Sequence, residues 1–404
     1  MATTVEIGFN LAPNGVGNWF TLDNTTKGAL NNTTYKLAGD VLTDVTSYVR
    51  QVSIKRGRSR QLEKFTAATA QVVLDNRNRY FDPLYTASPY YGNIGPRKAL
   101  RIAANGVPIY RGNVEDWDYD YDIGGDSTAT VKGIDGFALL AKATLSAGTM
   151  TAQKTGARIG TVLTTAGWDP NQRAISTGAA TLDADVVKDD EPLLGYLQTV
   201  ELSEPGALFI GSDGAFTFRD RTYMQTYSSG AVFGPSGIPF EDFSVVFGTE
   251  EQWNTVNVTY TAGSVVGGTA IAQSAASTAL YGVMEQTYNT LLGAAGDAES
   301  LADWFVAKYA DPLWRVDSVT INLNAITAAQ VTTVLNLDLA DVVQVSWTPN
   351  SIGSAITQYA TIDGIEHSIG AIDHRVTFTL SETIAAFILD DAVFGKLDSN
   401  ILGF

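Results

Sequence analysis

Cysteine is absent from the 404 residues. That removes disulfide staples, thiolate zinc sites, iron–sulfur clusters and a cysteine nucleophile together. Histidine occurs twice, which leaves little for His-rich metal sites or general-base chemistry. Proline is sparse, 12 residues against 38 glycines, so the chain suits many tight turns without being low-complexity. No run approaches the roughly 18 apolar residues of a membrane span. Met1 to Asn10 lack the basic and apolar regions of a secretion signal, so the expectation is synthesis in the cytoplasm without membrane insertion by this chain. Enzyme signatures are missing as well. There is no P-loop, nucleophile elbow or zinc-protease helix, and Gly15-Val16-Gly17 is too short for a dinucleotide loop.

What is present is a hydrophobic fraction of 45% with 17% charge, enough to bury a core over two or three domains of roughly 150 residues each. The net charge of -17 is uneven. Residues 1–101 hold 13 basic and 7 acidic side chains, a net of +6, whereas 102–404 hold 13 and 36, a net of -23. An acidic chain is a poor binder of phosphate backbones. One basic segment within it fits a contact with an acidic partner, a second copy of the chain included, or charge pairing within the fold.

Alternation predicts strands around Val49 to Ile54, from Thr69 to Asp75, from Ala99 to Ala103, from Val107 to Tyr121 and from Thr128 to Ile134, with Asn105-Gly106 as a hairpin turn. Helical spacing covers Thr155 to Ala166, and Asp190 to Leu202 with Asp190 as N-cap. Asp213-Gly214 marks a second hairpin, and Ser228 to Pro239 reads as a linker. Thr255 to Tyr260 is a strand, Asp297 to Tyr309 an amphipathic helix, and Val316 to Leu323, Val342 to Trp347, Gln358 to Ile369 and His374 to Leu380 are strands.

The outer thirds show a weak internal repeat. Val52–Arg58 matches Val256–Tyr260, Ala70–Asp75 matches Ser318–Leu323, and Leu100–Ile102 matches Val343–Val345. Asn113-Val114-Glu115 then matches Gly364-Ile365-Glu366, and Ala129–Ile134 matches Val376–Leu380. The expected fold is mainly β with an α+β module: two related barrel-like or sandwich-like β-domains, 1–145 and 246–404, flanking a mixed middle domain, 146–245. Residues 1–45 and 385–404 read as arms that order on neighbours.

Several segments together carry a resemblance: Arg56-Gly57-Arg58 after a strand, Val73-Leu74-Asp75-Asn76 followed by Tyr80-Phe81-Asp82-Pro83, Arg97 to Arg101, and Gly112 to Trp117. Asp213 to Arg219 and Ile362 to His367 continue the series. In this order they resemble the tail-hub proteins of long-tailed bacteriophages, the minor tail or baseplate hub type. The resemblance implies a structural protein of the virion tail tip, not an enzyme and without cofactor. It implies a homotrimer whose two similar β-domains per chain build a pseudo-sixfold ring between the hexameric tube and threefold tip proteins. Implied partners are other copies, tube and tape-measure proteins and tip or fibre proteins, with DNA only in transit. The alternative reading is a multidomain β-rich carbohydrate-binding or adhesion protein, for which Trp117, Trp253, Trp304, Trp314 and Trp347 would supply exposed aromatics. A glycoside hydrolase would need two close carboxylates in a cleft.

Three clusters stand out. Lys55, Arg56, Arg58 and Arg60 are a candidate subunit interface, with a solvated hairpin tip or direct DNA contact as alternatives. Asp116, Asp118, Asp120 and Asp122 alternate with Trp117, Tyr119 and Tyr121, so one strand face carries carboxylates towards solvent or a channel lumen and the other carries aromatics inward. A calcium loop fails there, because counting from Asp118 the glycine falls one position late and the twelfth residue is Ala129. His367 and His374 face each other across a strand pair if Gly370-Ala371 is the turn. They then form a polar pair rather than a metal site, since Glu366 and Asp373 fall on the opposite face.

Overall fold

Alternating apolar residues drive much of the chain into strands, and the computed structural model shows a mainly β protein with helices interspersed among them. It describes residues 2–9, 25, 41–60, 63–225 and 230–383. The expected arm at 385–404 and most of the one expected at 1–45 lie outside them, but residues 3–7 are not an arm: their alternating Val5 and Ile7 are buried in a strand paired with residues 100–104. The first strands are β1 (Thr3–Ile7), β2 (Val49–Gly57), β3 (Thr66–Asp75), β4 (Ala99–Ala104), β5 (Val107–Asp120) and β6 (Thr128–Ile134). Ala68, Ala70, Val72 and Leu74 of β3 and Val52 and Ile54 of β2 are buried on one face, which is period-two patterning realised. Asn105 and Gly106 both take positive φ, 48° and 80°, as the tight turn between β4 and β5 requires.

A mixed α+β segment follows. It holds α1 (Thr155–Thr165), α2 (Leu193–Leu202) and the hairpin β7 (Ala207–Ile210) and β8 (Phe216–Arg219). Asp190 does not cap α2. It sits at φ 60°, Glu191-Pro192 pairs with Thr144–Leu145, and Pro192 is the N-cap. Arg158 of α1 is fully buried and ties the segment together, donating to the Tyr196 hydroxyl (2.7 Å) and to the Thr151 (2.8 Å) and Asp183 (2.7 Å) carbonyls.

The expected linker at 228–239 contains β9 (Ala231–Phe233), which pairs in parallel with a later strand. A strand partner there overrides the Gly/Ser/Pro composition. Then come β10 (Asp242–Gly248) and an insertion of β11 (Thr255–Thr261), β12 (Val266–Gln273), β13 (Glu285–Asn289) and α3 (Ala295–Tyr309). The insertion has its own small core of Val256, Val258, Tyr288, Leu301, Phe305 and Tyr309. The chain closes with β14 (Leu313–Asn322), α4 (Ala328–Asn336), β15 (Val342–Trp347), β16 (Ile356–Ile369) and β17 (His374–Glu382).

One 13-stranded sheet organises these pieces, and its order reveals the duplication. The first half runs β2-β3-β6-β5-β4-β1 and the second β10-β14-β17-β16-β15-β9, six strands in matching order. Four of the five sequence matches join equivalent strands. The first does not: the counterpart of β2 is β10, whereas β11 belongs to the separate sheet of the insertion. The copies agree in detail. Each long strand carries a one-residue bulge, at Glu115 in β5 and at Asp363 in β16. Beside each bulge a non-glycine residue is held at positive φ, Arg97 at 65° and Ala340 at 64°, donating its N–H to the carbonyl of the residue before the bulge, Val114 or Ile362 (2.7 Å each). The two ends of the sheet differ: β1 runs antiparallel to β4, β9 parallel to β15.

The halves join where residues 364–369 of β16 pair with β2. Gly57 ends that ladder at φ 98°, and a Cβ there would collide with the Asp363 carbonyl oxygen. Gly57→Ala is therefore expected to cost about 1–3 kcal/mol through backbone strain and opening of the join, read from urea denaturation; a loss below ~0.5 kcal/mol would show that the join yields easily.

Candidate assembly interface

The basic cluster lies on the join. Alternation along β2 places Arg56 on the same inward face as Val52 and Ile54, and its side chain is 4% exposed. One guanidinium nitrogen donates to Asp338 Oδ1 (2.7 Å) and to the Ile210 carbonyl (3.1 Å), so one charge fastens the first half to the second half and to the middle segment. Arg58 donates Nε and Nη2 to Asp363 Oδ1 (3.0 and 2.8 Å) and lies 4.4 Å over the Phe65 ring. Lys55 is exposed, opposite Glu366 in the ladder. Arg60 is exposed and 3.5 Å from Glu250. Thus Arg56 and Arg58 meet carboxylates at the buried seam, whereas Lys55 and Arg60 remain at the surface, Arg60 in an exposed pair with Glu250.

Around the join lie buried titratable groups that the sequence did not single out. Asp135 accepts from the Ala68 and Phe137 amides (2.9 Å each), yet burial pushes its carboxyl up to about 6. Burial pushes Glu201 up to about 7, although the Leu208 amide donates to it at 3.1 Å. Lys308 of α3 sits over the Trp304 and Tyr309 rings (5.3 and 5.2 Å), and desolvation lowers its ammonium to about 8 with Asp363 and Glu382 nearby. The signal for Arg56 was available in the strand parity. Glu201 falls on the apolar stripe of α2, four residues after Leu197, so helical spacing marked it as well, whereas no local pattern marks Asp135.

Asp116, Asp118 and Asp120 project from the exposed face of β5, and Asp118 is ion-paired to Lys132. Asp122 lies beyond the strand, in the turn closed by the Gly125 amide on its carbonyl, so three carboxylates rather than four share the strand face. On the other face Trp117, Tyr119 and Tyr121 form a stacked ladder with centroids 6.4 and 6.1 Å apart. Trp117 packs on Phe9 and Phe81, and its indole N–H donates to the Gly95 carbonyl (3.1 Å).

His367 and His374 are both buried and touch, Nδ1 to Nε2 at 3.0 Å. Their register differs from the expected one. Ile369 pairs with His374 and His367 with Val376, because the turn spans Gly370–Asp373 with the Gly370 amide on the Asp373 carbonyl. The imidazoles meet on the diagonal, on one face. Among the described residues no three His, Asp or Glu side chains converge as a metal cluster would, and no helix is long and apolar enough to cross a membrane.

No family profile and no curated protein matches this sequence. Solved structures do match in fold. The chain is similar to the 43 kDa tail protein of prophage MuSo2 from Shewanella oneidensis, at 12% identity and TM-score 0.57 over 86% of this chain and 95% of that one. It is similar to the tail protein from Neisseria meningitidis MC58, at 11% identity and TM-score 0.59 over 95% and 97%. Prophage tail protein gp18 from Listeria monocytogenes EGD-e matches at 10% identity and TM-score 0.51 over 94% and 95%. At such identities the likeness establishes a shared fold that extends over nearly the whole chain.

Two measurements follow from this geometry. Arg56→Met strands Asp338 and the Ile210 carbonyl, and should cost about 3 kcal/mol; Lys55→Ala and Arg60→Ala should stay within about 0.5 kcal/mol, and equal effects at all three sites would refute the buried fastener. The second concerns pH. Unfolded imidazoles titrate near 6.5, whereas burial holds His374 down at about 4 and His367 well below its ordinary value. Their stabilisation is complete above pH ~6.5 and is lost as pH falls from there towards 4. The raised Glu201 and Asp135 act oppositely, stabilising at low pH and losing this as pH rises from about 4 through 6 to 7. In the double variant H367N/H374N only the second effect survives. On going from pH 7 to 5 its melting temperature should therefore rise relative to that of the wild type; an identical change in the two proteins would mean that the wild-type imidazoles take up protons as readily folded as unfolded.

Proposed function

We propose that this chain is a structural subunit of a phage tail, a hub at the tail tip that assembles as a trimeric ring around the DNA channel. The observation that carries the reading is the duplicated strand order, since three chains with two like units each present six like surfaces in a closed ring. Such a ring joins a sixfold tube on one side to threefold tip proteins on the other, and its work is geometric rather than catalytic. Tube, tape-measure and tip or fibre proteins are its partners, and its place is the virion. The fold shared with three tail proteins, two of them from prophages, supports the assignment to a tail. A row of carboxylates such as Asp116, Asp118 and Asp120 suits a wall past which DNA must slide without adhering.

The aromatic side chains favour this reading over glycan binding. Trp117, Trp253 and Trp304 pack against the two cores and Trp347 is buried; Trp314, 41% exposed, stacks beside Trp347 with centroids 5.3 Å apart and stands alone rather than in a row of exposed tryptophans. Carbohydrate platforms would instead present their rings to solvent in a groove.

Native mass spectrometry of the purified chain, with negative-stain class averages of the same sample, tests the proposal. The expected result is a species of three times 43.1 kDa with six lobes around a hole. A monomer at every concentration, or a closed dimer, would overturn it.

A further inference from the structure

The two halves of the chain dock through unlike edges, and the same two kinds of edge are left unused elsewhere. Inside the chain, β2 of the first half pairs with residues 364–369 of β16 in the second. The equivalent of β16 is β5, and the equivalent of β2 is β10. Among the described residues β10 pairs only with β14, and beyond the bulge β5 has no strand on the side opposite β6. Arg97 and Lys98 clip Val114 there, just as Ala340 and Asp341 clip Ile362, and that clip does not prevent β2 from pairing past Ile362.

We infer that β10 of one copy pairs antiparallel with residues 116–121, the end of β5 and the residue after it, in the next copy, repeating between chains the join made within each chain. The inference rests on the ring proposed above and assigns its contact surface.

The ladders fix the register. Aligning the bulges sets Trp117 on Ile365, Tyr119 on His367 and Tyr121 on Ile369. The row Val52, Val72, Val131, Trp117 across the first half then corresponds to Phe243, Val319, Phe378, Ile365 across the second. Val52 thus maps to Phe243, and Arg56 to Phe247. Within the chain Ile369 faces Val52, Ile365 faces Arg56 and Gly364 faces Gly57. Between copies Tyr121 then faces Phe243, Trp117 faces Phe247 and Asp116 faces Gly248.

Burial agrees with this mapping. At the join Ile369 and Arg56 are 7% and 4% exposed, while their counterparts Tyr121 and Phe247 are 53% and 68% exposed. The apolar, proline-free edge Phe243-Ser244-Val245-Val246-Phe247 is the kind of strand that folded proteins must cover. The aromatic ladder of the neighbour provides the matching inward face, and Asp118 and Asp120 stay on the outer one. A β10-to-β10 pairing would be twofold and would leave the β5 edges bare.

The absence of native cysteine makes the test direct. Asp120 of one copy should lie opposite Ser244 of the next, at the Cα separation of about 4.5–5.5 Å between facing residues that a disulfide can bridge. Under mild oxidation D120C mixed with S244C should give a covalent dimer, the double variant D120C/S244C a covalent trimer, and each single variant alone none. D116C with S244C, four residues out of register, should remain uncrosslinked. A trimer by native mass with no D120C–S244C bond would overturn the edge pairing and leave the ring standing. Monomer without any cross-link would overturn both, and S244C dimerising by itself would show that the edges meet twofold instead.

Discussion

The ladder between β2 and residues 364–369 of β16 is the contact on which the molecule depends. Without it the large sheet falls into a seven-stranded piece, counting the short strand Thr43–Asp44 beside β1, and a six-stranded one, each with a raw edge. Backbone hydrogen bonds run along it, Val52, Ile54, Ile365 and Ile369 bury apolar surface beneath it, and Arg56 and Arg58 reach across it to Asp338 and Asp363. The ion pairs add definition more than raw stability. A buried guanidinium has lost much of its hydration, and only bonds to its partners recover that loss. Arg56 is therefore an address: it is satisfied only where Asp338 and the Ile210 carbonyl arrive together.

Duplication explains why two unrelated stretches of sequence meet so well. The halves share strand order, a bulge in the long strand and a strained residue next to that bulge, features that packing alone does not demand twice. They have diverged where the surroundings differ. The β2 position that carries Arg56 against a buried seam carries Phe247 in β10. The second half also accepted an insertion with its own core between β10 and β14, a site at the rim of the sheet where extra residues disturb no ladder.

Much of this was legible in the sequence because alternation is a local property. Every strand from Val49 to Ile134 stands where alternating residues placed it, and Asn105-Gly106 turns as its chemistry requires. Membership of a sheet is not local. Thr255–Thr261 reads as a strand and is one, but nothing within it tells that its partners are β12 and β13 rather than β3. The parity of Arg56 was present in the pattern and masked by the charges around it, since four basic residues in six look like a solvated run. Helix α4 had a signal too, the capping box of Thr327 and Gln330, but its Val and Thr content favours strand by propensity. Tertiary burial of Val331, Val334 and Leu335 decides the outcome. The histidine register slipped by two residues because the turn spans four residues and not two, and turn length is weakly encoded where Gly370 and Asp373 close it by backbone contacts.

Covalent linkage of the two halves changes the statistics of assembly. A ring of six free units would have to bring six bodies together, each losing translational and rotational freedom worth several kcal/mol. Here three of the six unit-to-unit contacts in the proposed ring are intramolecular and form during folding, independent of concentration. The remaining contacts need only three bodies, so the yield of closed rings would vary with the third power of subunit concentration instead of the sixth. The chain between β6 and β9 is the tether, and the geometry of the β5 and β10 edges would set how many tethered pairs make a circle.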